Sequence, residues 1–154
     1  MKNKIEYLAI ESLIPYARNS RSHDDGQVAQ IAASIREFGF TNPVLVDGDG
    51  GIIAGHGRVL AARKLSLVEV PCIRLDYLTD TQRRAYVIAD NKLALNASWD
   101  DQMLLLEIKD LDAAEFDLAL LGFTPDELSA LDPEQIPDGL TDEDDVPDLE
   151  DESV

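Results

Sequence analysis

The chain has 154 residues, 45% of them hydrophobic, and a formal net charge of −18. That length supports one domain with a sizeable core, and a surface this acidic repels nucleic-acid phosphates, which argues against unaided tight DNA binding. No apolar run approaches a membrane span, the start Met-Lys-Asn-Lys-Ile-Glu has no apolar leader pattern, and a lone cysteine excludes disulfides and thiolate metal clusters within one chain, so a cytoplasmic protein without a membrane role is expected.

In chain order, residues 5–13 read as a first strand with its edge at Pro15, followed by a polar loop holding Arg18, Asn19, Arg21 and His23. Apolar residues at Val28, Ile31, Ala32, Ile35 and Phe38 have helical spacing, with Asp24 or Asp25 as cap and Gly39 as terminator. Residues 44–46 and 52–54 are short apolar core strands, and Asp47-Gly48-Asp49-Gly50-Gly51 between them is a hairpin signal. A helix over 59–65 follows, then a strand over 68–76 in which Pro71 suggests an edge or bulge. Cys72 lies in its apolar run, as expected of a buried structural thiol.

Thr79 is the expected N-cap of a long helix reaching about Asn96, and a further helix starts at Trp99-Asp100 and runs to Leu111. Trp99 reads as core packing for that helix, and Met103, Leu104, Leu106, Ile108 and Leu111 as a packing or partner-docking face. After an apolar stretch over 116–123, Thr124-Pro125-Asp126-Glu127 opens a short helix. Residues 132–154 lack periodicity and read as a disordered acidic tail.

Charge is unevenly placed. Residues 1–96 hold 12 Lys and Arg against 11 Asp and Glu, a net of +1, whereas 97–131 carry −8 and 132–154 carry −11. The acidity therefore belongs to the C-terminal part.

Within the front part, Ile52-Ile53-Ala54-Gly55-His56-Gly57-Arg58 stands out. A strand that ends in glycines at a helix start suits an anion, because the first helix amides lack internal partners and the macrodipole makes that end positive. Gly55 and Gly57 let a phosphate approach the backbone, and Arg58 adds a planar fork matched to phosphate oxygens. A cation at a helix start is unfavourable by itself, which an anion would offset. His56 has three readings: hydrogen bond to phosphate, general base, or orientation of the loop. Arg83 or Arg84, the Thr79 hydroxyl and the amides of that helix start are further candidates to reach phosphates.

The ordered phrases Ile14-Pro15, Asn19, Arg21, Asn42-Pro43-Val44-Leu45-Val46, Ala54-Gly55-His56-Gly57-Arg58 and Val70-Pro71 resemble the ParB/sulfiredoxin N-terminal domain. The phrase Ala85-Tyr86-Val87-Ile88-Ala89-Asp90-Asn91-Lys92 is similar to a phage and prophage branch of it that accompanies DNA methyltransferases. The resemblance implies an α/β (α+β) fold with a small mixed sheet and flanking helices over 5–96, a helical extension over 97–131 and the acidic tail over 132–154. It implies a bound nucleoside triphosphate, CTP or ATP, and Mg²⁺. It places Arg18 and Arg21 in a loop over the nucleotide and matches Asp90-Asn91 to a magnesium-binding pair, with Ala94 where hydrolysing members carry arginine. Gly57 stands where partition proteins carry a phosphate-binding arginine. His56 stands where sulfiredoxins carry their catalytic cysteine, so that chemistry is not expected.

The expectation from these residues is a nucleotide-binding accessory module. It would act beside a DNA methyltransferase or another phage DNA-processing protein, with a homodimer as one possible state. The helix-turn-helix and dimerisation domains of partition proteins are not recognisable after residue 96. Alternatives are a slow Mg²⁺-dependent nucleoside triphosphatase or phosphotransferase using His56, a ParB-like nuclease, and an acidic protein-interaction or DNA-mimic protein.

Overall fold

The computed structural model describes residues 2–18 and 22–132, so Asn19, Arg21 and nearly all of the expected acidic tail lie outside the described residues. The chain divides into two compact units, Met1–Ser98 and Trp99–Val154.

The first unit is a four-stranded mixed sheet between helices, with strand order β1-β4-β2-β3. Strand β1 (Ile5–Ala9) pairs antiparallel with β4 (Glu69–Arg74), β4 pairs parallel with β2 (Val44–Val46), and β2 pairs antiparallel with β3 (Ile52–Ala54). The β2–β3 turn is tied by Asp47, whose Oδ1 accepts from the amides of Asp49 and Gly51, both at 2.8 Å. A side chain on Gly51 would meet that carboxylate at 2.6 Å, which explains the glycine.

Two sequence expectations fail here. The first strand ends at Ala9 rather than at residue 13, because residues Ile10–Ser12 wind into a 3-10 turn that buries both Ile10 and Leu13. Pro71 is neither at an edge nor at a bulge but in the interior strand β4, opposite Tyr7 of β1. Pairing with β2 begins one residue later, at Cys72 opposite Val44, so the missing amide costs no ladder bond there.

Alternation along the strands splits the core in two. Val44, Val46, Ile52, Val70 and Cys72 pack with Val59 and Ala62 of α2 (His56–Lys64). On the other side Leu45, Ile53 and Ile73 pack with Val87 of α3 (Asp80–Leu95). Helix α1 (Asp25–Phe38) packs on α2, with Asp24 as N-cap and Gly39, at φ +91°, as terminator. Thr79 caps α3 in a reciprocal box with Gln82.

The second unit contains α4 (Asp101–Ala113), capped by Asp100, a 3-10 turn at Leu118–Leu121, and α5 (Pro125–Leu131), capped by Thr124. Ile108 is its buried anchor, and Lys109 pairs with Asp132 at 3.3 Å. Trp99 is not core: it is 65% exposed, with its ring tilted against Phe123 at 5.8 Å. Met103 and Leu106 also face solvent, so only part of the expected stripe packs. Among the described residues no helix is long and apolar enough to cross a membrane.

Candidate functional site

A cleft of about 210 Å³ forms where β3 hands over to α2, bordered by the starts of α1 and α2 and by the middle of α3. The turn depends on Gly55, which caps α2 at φ +110° in the left-handed region. A Cβ there would also lie 3.0 Å from Arg58 Nη2 and 3.3 Å from Val44 Cα. The first turn of α2, whose leading amides have no partner within the helix, borders the cleft.

Arg58 folds back along this turn. Its Nη2 donates to the Pro43 carbonyl at 3.0 Å, while its Nε–H is buried with no hydrogen-bond partner. Burial pulls the guanidinium below its ordinary pKa, and the negative charge of Asp90 acts in the opposite direction. A guanidinium with an unused buried donor at a helix N-terminus has the chemistry that suits an oxyanion. Asp90 and Asn91 line the same cleft from α3; Asp90 accepts from the Tyr86 hydroxyl at 3.2 Å and the Asn91 amide donates to the Val87 carbonyl at 2.8 Å. Tyr86 is held above its ordinary pKa by burial, with the Asp90 charge adding to it.

His56 sits at the first position of α2, and its Nε2 accepts the backbone N–H of Tyr16 at 3.1 Å. Burial, and then the charge of His23, push its pKa down. The nitrogen that a general base would use is therefore engaged in holding the 16–18 loop, and of the three readings of His56 the geometry displays the orienting one. His23, read from the sequence only as a residue of the polar loop, lines the cleft: its Nδ1 lies 2.6 Å from Gln27 Oε1, and its ring packs directly on Gly57. The i, i+4 spacing of His23 and Gln27 at a capped helix start was a visible signal for their pairing; their seat on Gly57 was not.

Other candidates are placed elsewhere. Thr79 Oγ1 accepts from the Gln82 amide as the cap of α3. Arg83 pairs with Asp80, lies 4.0 Å from Asp47 and covers the Tyr16 ring at 5.6 Å, outside the cleft. Arg18 is exposed and lines a separate depression with Tyr16 and Arg84. Gly55, His56, Gly57, Arg58, Asp90 and Asn91 are the candidates that the fold does bring together.

Comparison with known proteins matches residues 1–91 to the ParB N-terminal domain and residues 102–154 to the ParB-methyltransferase HTH domain. The second match corrects the expectation that nothing after residue 96 is a helix-turn-helix segment; α4 and α5 lie in it, and their acidity hid it. The ParB-like nuclease domain-containing protein YnaK of Escherichia coli K12 is 54% identical over 83 residues, covering 54% of this chain and 95% of that protein. The probable chromosome 2-partitioning protein ParB of Deinococcus radiodurans is 34% identical over 93 residues, covering 58% of this chain and 31% of that protein, so the match spans about a third of that relative's length. In fold, the chain resembles the C-terminally truncated chromosome-partitioning protein ParB of Caulobacter crescentus complexed with CTP-γ-S. The TM-score is 0.68 at 23% identity, over 88% of this chain and 81% of that one.

Proposed function

The chain belongs to the ParB N-terminal domain family, and from that premise we propose that it is a nucleoside-triphosphate-binding accessory module working with a DNA methyltransferase. The observation that carries the nucleotide reading is the buried, unpartnered Nε–H of Arg58 at the glycine-bracketed start of α2. The phosphates would lie against the α2 amides and Arg58.

Mg²⁺ fits the same arrangement. It prefers oxygen ligands and commonly binds through one or two carboxylates plus substrate phosphates. Asp90 offers the carboxylate and Asn91 the neighbouring amide, while no group of three His, Cys, Asp or Glu among the described residues could hold a metal by itself. Metal binding is thus expected only together with the nucleotide. CTP is the first candidate, since the Caulobacter neighbour was solved with CTP-γ-S, and ATP the second. The ParB-methyltransferase HTH match supports the methyltransferase as partner. With one lysine against nine acids over residues 97–131, unaided DNA binding by that segment is expected to be weak.

The test is a calorimetric titration of CTP, ATP, GTP and UTP, each with Mg²⁺, into the wild-type chain and Arg58→Ala. Saturable binding of one nucleotide that disappears in the variant supports the proposal. Equal affinity in both proteins, or no binding of any nucleotide to wild type, rejects it.

A further inference from the structure

We propose that His23 is a further ligand of the anion bound at the α2 N-terminus, donating Nε2–H to a phosphate oxygen when protonated and so making affinity proton-dependent. The inference rests on the reading of this cleft as a phosphate site.

The first ground is position. Gly57 is the second residue of α2, and a Cβ there would lie 2.9 Å from His23 Cε1 and 2.9 Å from Ile31 Cδ1. The imidazole edge therefore rests on the helix backbone at the first turn, where the free amides are, and His23 lines the same cleft as Arg58. Nδ1 follows at 3.0 Å, so the Cε1–Nδ1 edge of the ring faces Gly57 and Nε2 is the nitrogen not pressed on it.

The second ground is the fixed tautomer. Nδ1 lies 2.6 Å from Gln27 Oε1, and an amide oxygen only accepts, so Nδ1 carries the hydrogen. Neutral His23 then has a lone pair on Nε2, which repels an oxyanion. Protonation converts that atom into a charged donor, and Nε2 has no hydrogen-bond partner among the described residues.

The charged and titratable groups near it are Asp24 and Asp25 on its own segment, Asp90 of α3 across the cleft, and His56 and Arg58 of α2. A polyphosphate in the cleft adds several negative charges on the side of protonation. Histidine is the side chain whose ordinary range makes such a contact responsive between pH 5 and 8.

The experiment titrates inorganic tripolyphosphate, and separately CTP with Mg²⁺, into the full chain as wild type, His23→Gln and Arg58→Ala at pH 6 and pH 8. Buffers of different ionisation enthalpy read the protons taken up on binding, and thermal melts verify folding of each variant. We expect His23→Gln to bind tripolyphosphate about tenfold more weakly than wild type at pH 6, within about twofold at pH 8, and with reduced proton uptake. In the wild-type protein, needing no variant, the His23 Cε1–H resonance should move toward its protonated position when tripolyphosphate is added at pH 7. Wild-type affinity and proton uptake in His23→Gln, with a static resonance, overturn the assignment while leaving the Arg58 site standing. If wild type binds neither ligand at either pH, the site and the role of His23 fall together.

Discussion

His56 Nε2 accepts the backbone N–H of Tyr16 at 3.1 Å, joining residues forty positions apart and fastening the 16–18 loop to the start of α2. Only the neutral ring can do this through that nitrogen. Burial lowers the His56 pKa from its ordinary value of 6.5, with the charge of His23 acting in the same direction. The unfolded chain therefore binds the proton more readily than the folded one, and stability falls as pH drops from the ordinary value toward the lowered one. Melting temperatures should decline more steeply from pH 7 to pH 5 in wild type than in His56→Gln, which does not titrate. Parallel declines in the two proteins would show that the bond carries no pH-linked stability.

Two helical glycines should respond oppositely to alanine. Gly26, in the first turn of α1, has only Asp24 Oδ1 near a new Cβ, at 3.4 Å. Alanine is the better helix former by about 0.8–1 kcal/mol, so Gly26→Ala is expected to stabilise by up to that amount. Gly57 has the same propensity argument, but its Cβ would collide with the His23 ring and Ile31 at 2.9 Å. Opening the α1–α2 contact should outweigh the gain and leave Gly57→Ala about 1–3 kcal/mol less stable. Urea unfolding of both variants checks the pair; stabilisation by Gly57→Ala would mean that His23 is not seated as described.

Strands β2 and β3 were readable to the residue, because an Asp-Gly turn separates short apolar runs that have few other ways to be buried. The end of α1 at Gly39 was equally legible, and its start was narrowed to a cap at Asp24 or Asp25, of which the fold uses Asp24, since capping is local. What the sequence hid is set by non-local register. Ile10 and Leu13 continue an apolar pattern although the backbone has already turned. Pro71 is tolerated in an interior strand only because pairing with β2 starts at Cys72. The site divides similarly: the Gly55–Arg58 turn was legible as a local motif, whereas Tyr16 on His56, Pro43 under Arg58 and His23 over Gly57 all come from distant chain segments.

Cys72 is fully buried at the centre of the sheet, between Glu6 of β1 and Val44 of β2. Burial raises its pKa, which disfavours the thiolate that thiol reagents attack. A disulfide reagent should therefore label the native chain slowly, at a rate limited by opening of the sheet, and label it at once in urea. Because the pKa is raised above its ordinary value of 9.0, going from pH 7 to pH 8 should leave the thiol almost wholly protonated in the folded state. Rapid stoichiometric labelling in native buffer would show that β4 is accessible.

Arg58→Lys separates charge from geometry at the proposed phosphate site. Lysine keeps the positive charge but has no fork: it cannot donate to Pro43 O through one nitrogen while a second, buried N–H on the same group stays unused. Losing a charge-assisted hydrogen bond to phosphate should weaken nucleotide binding by about tenfold or more. The Pro43 carbonyl loses its donor as well, which should lower stability by about 1 kcal/mol. Calorimetric titration with CTP and Mg²⁺ reads the first effect and urea unfolding the second. If Arg58→Lys binds within about twofold of wild type, the guanidinium serves only as a charge and its buried Nε–H is not the phosphate donor.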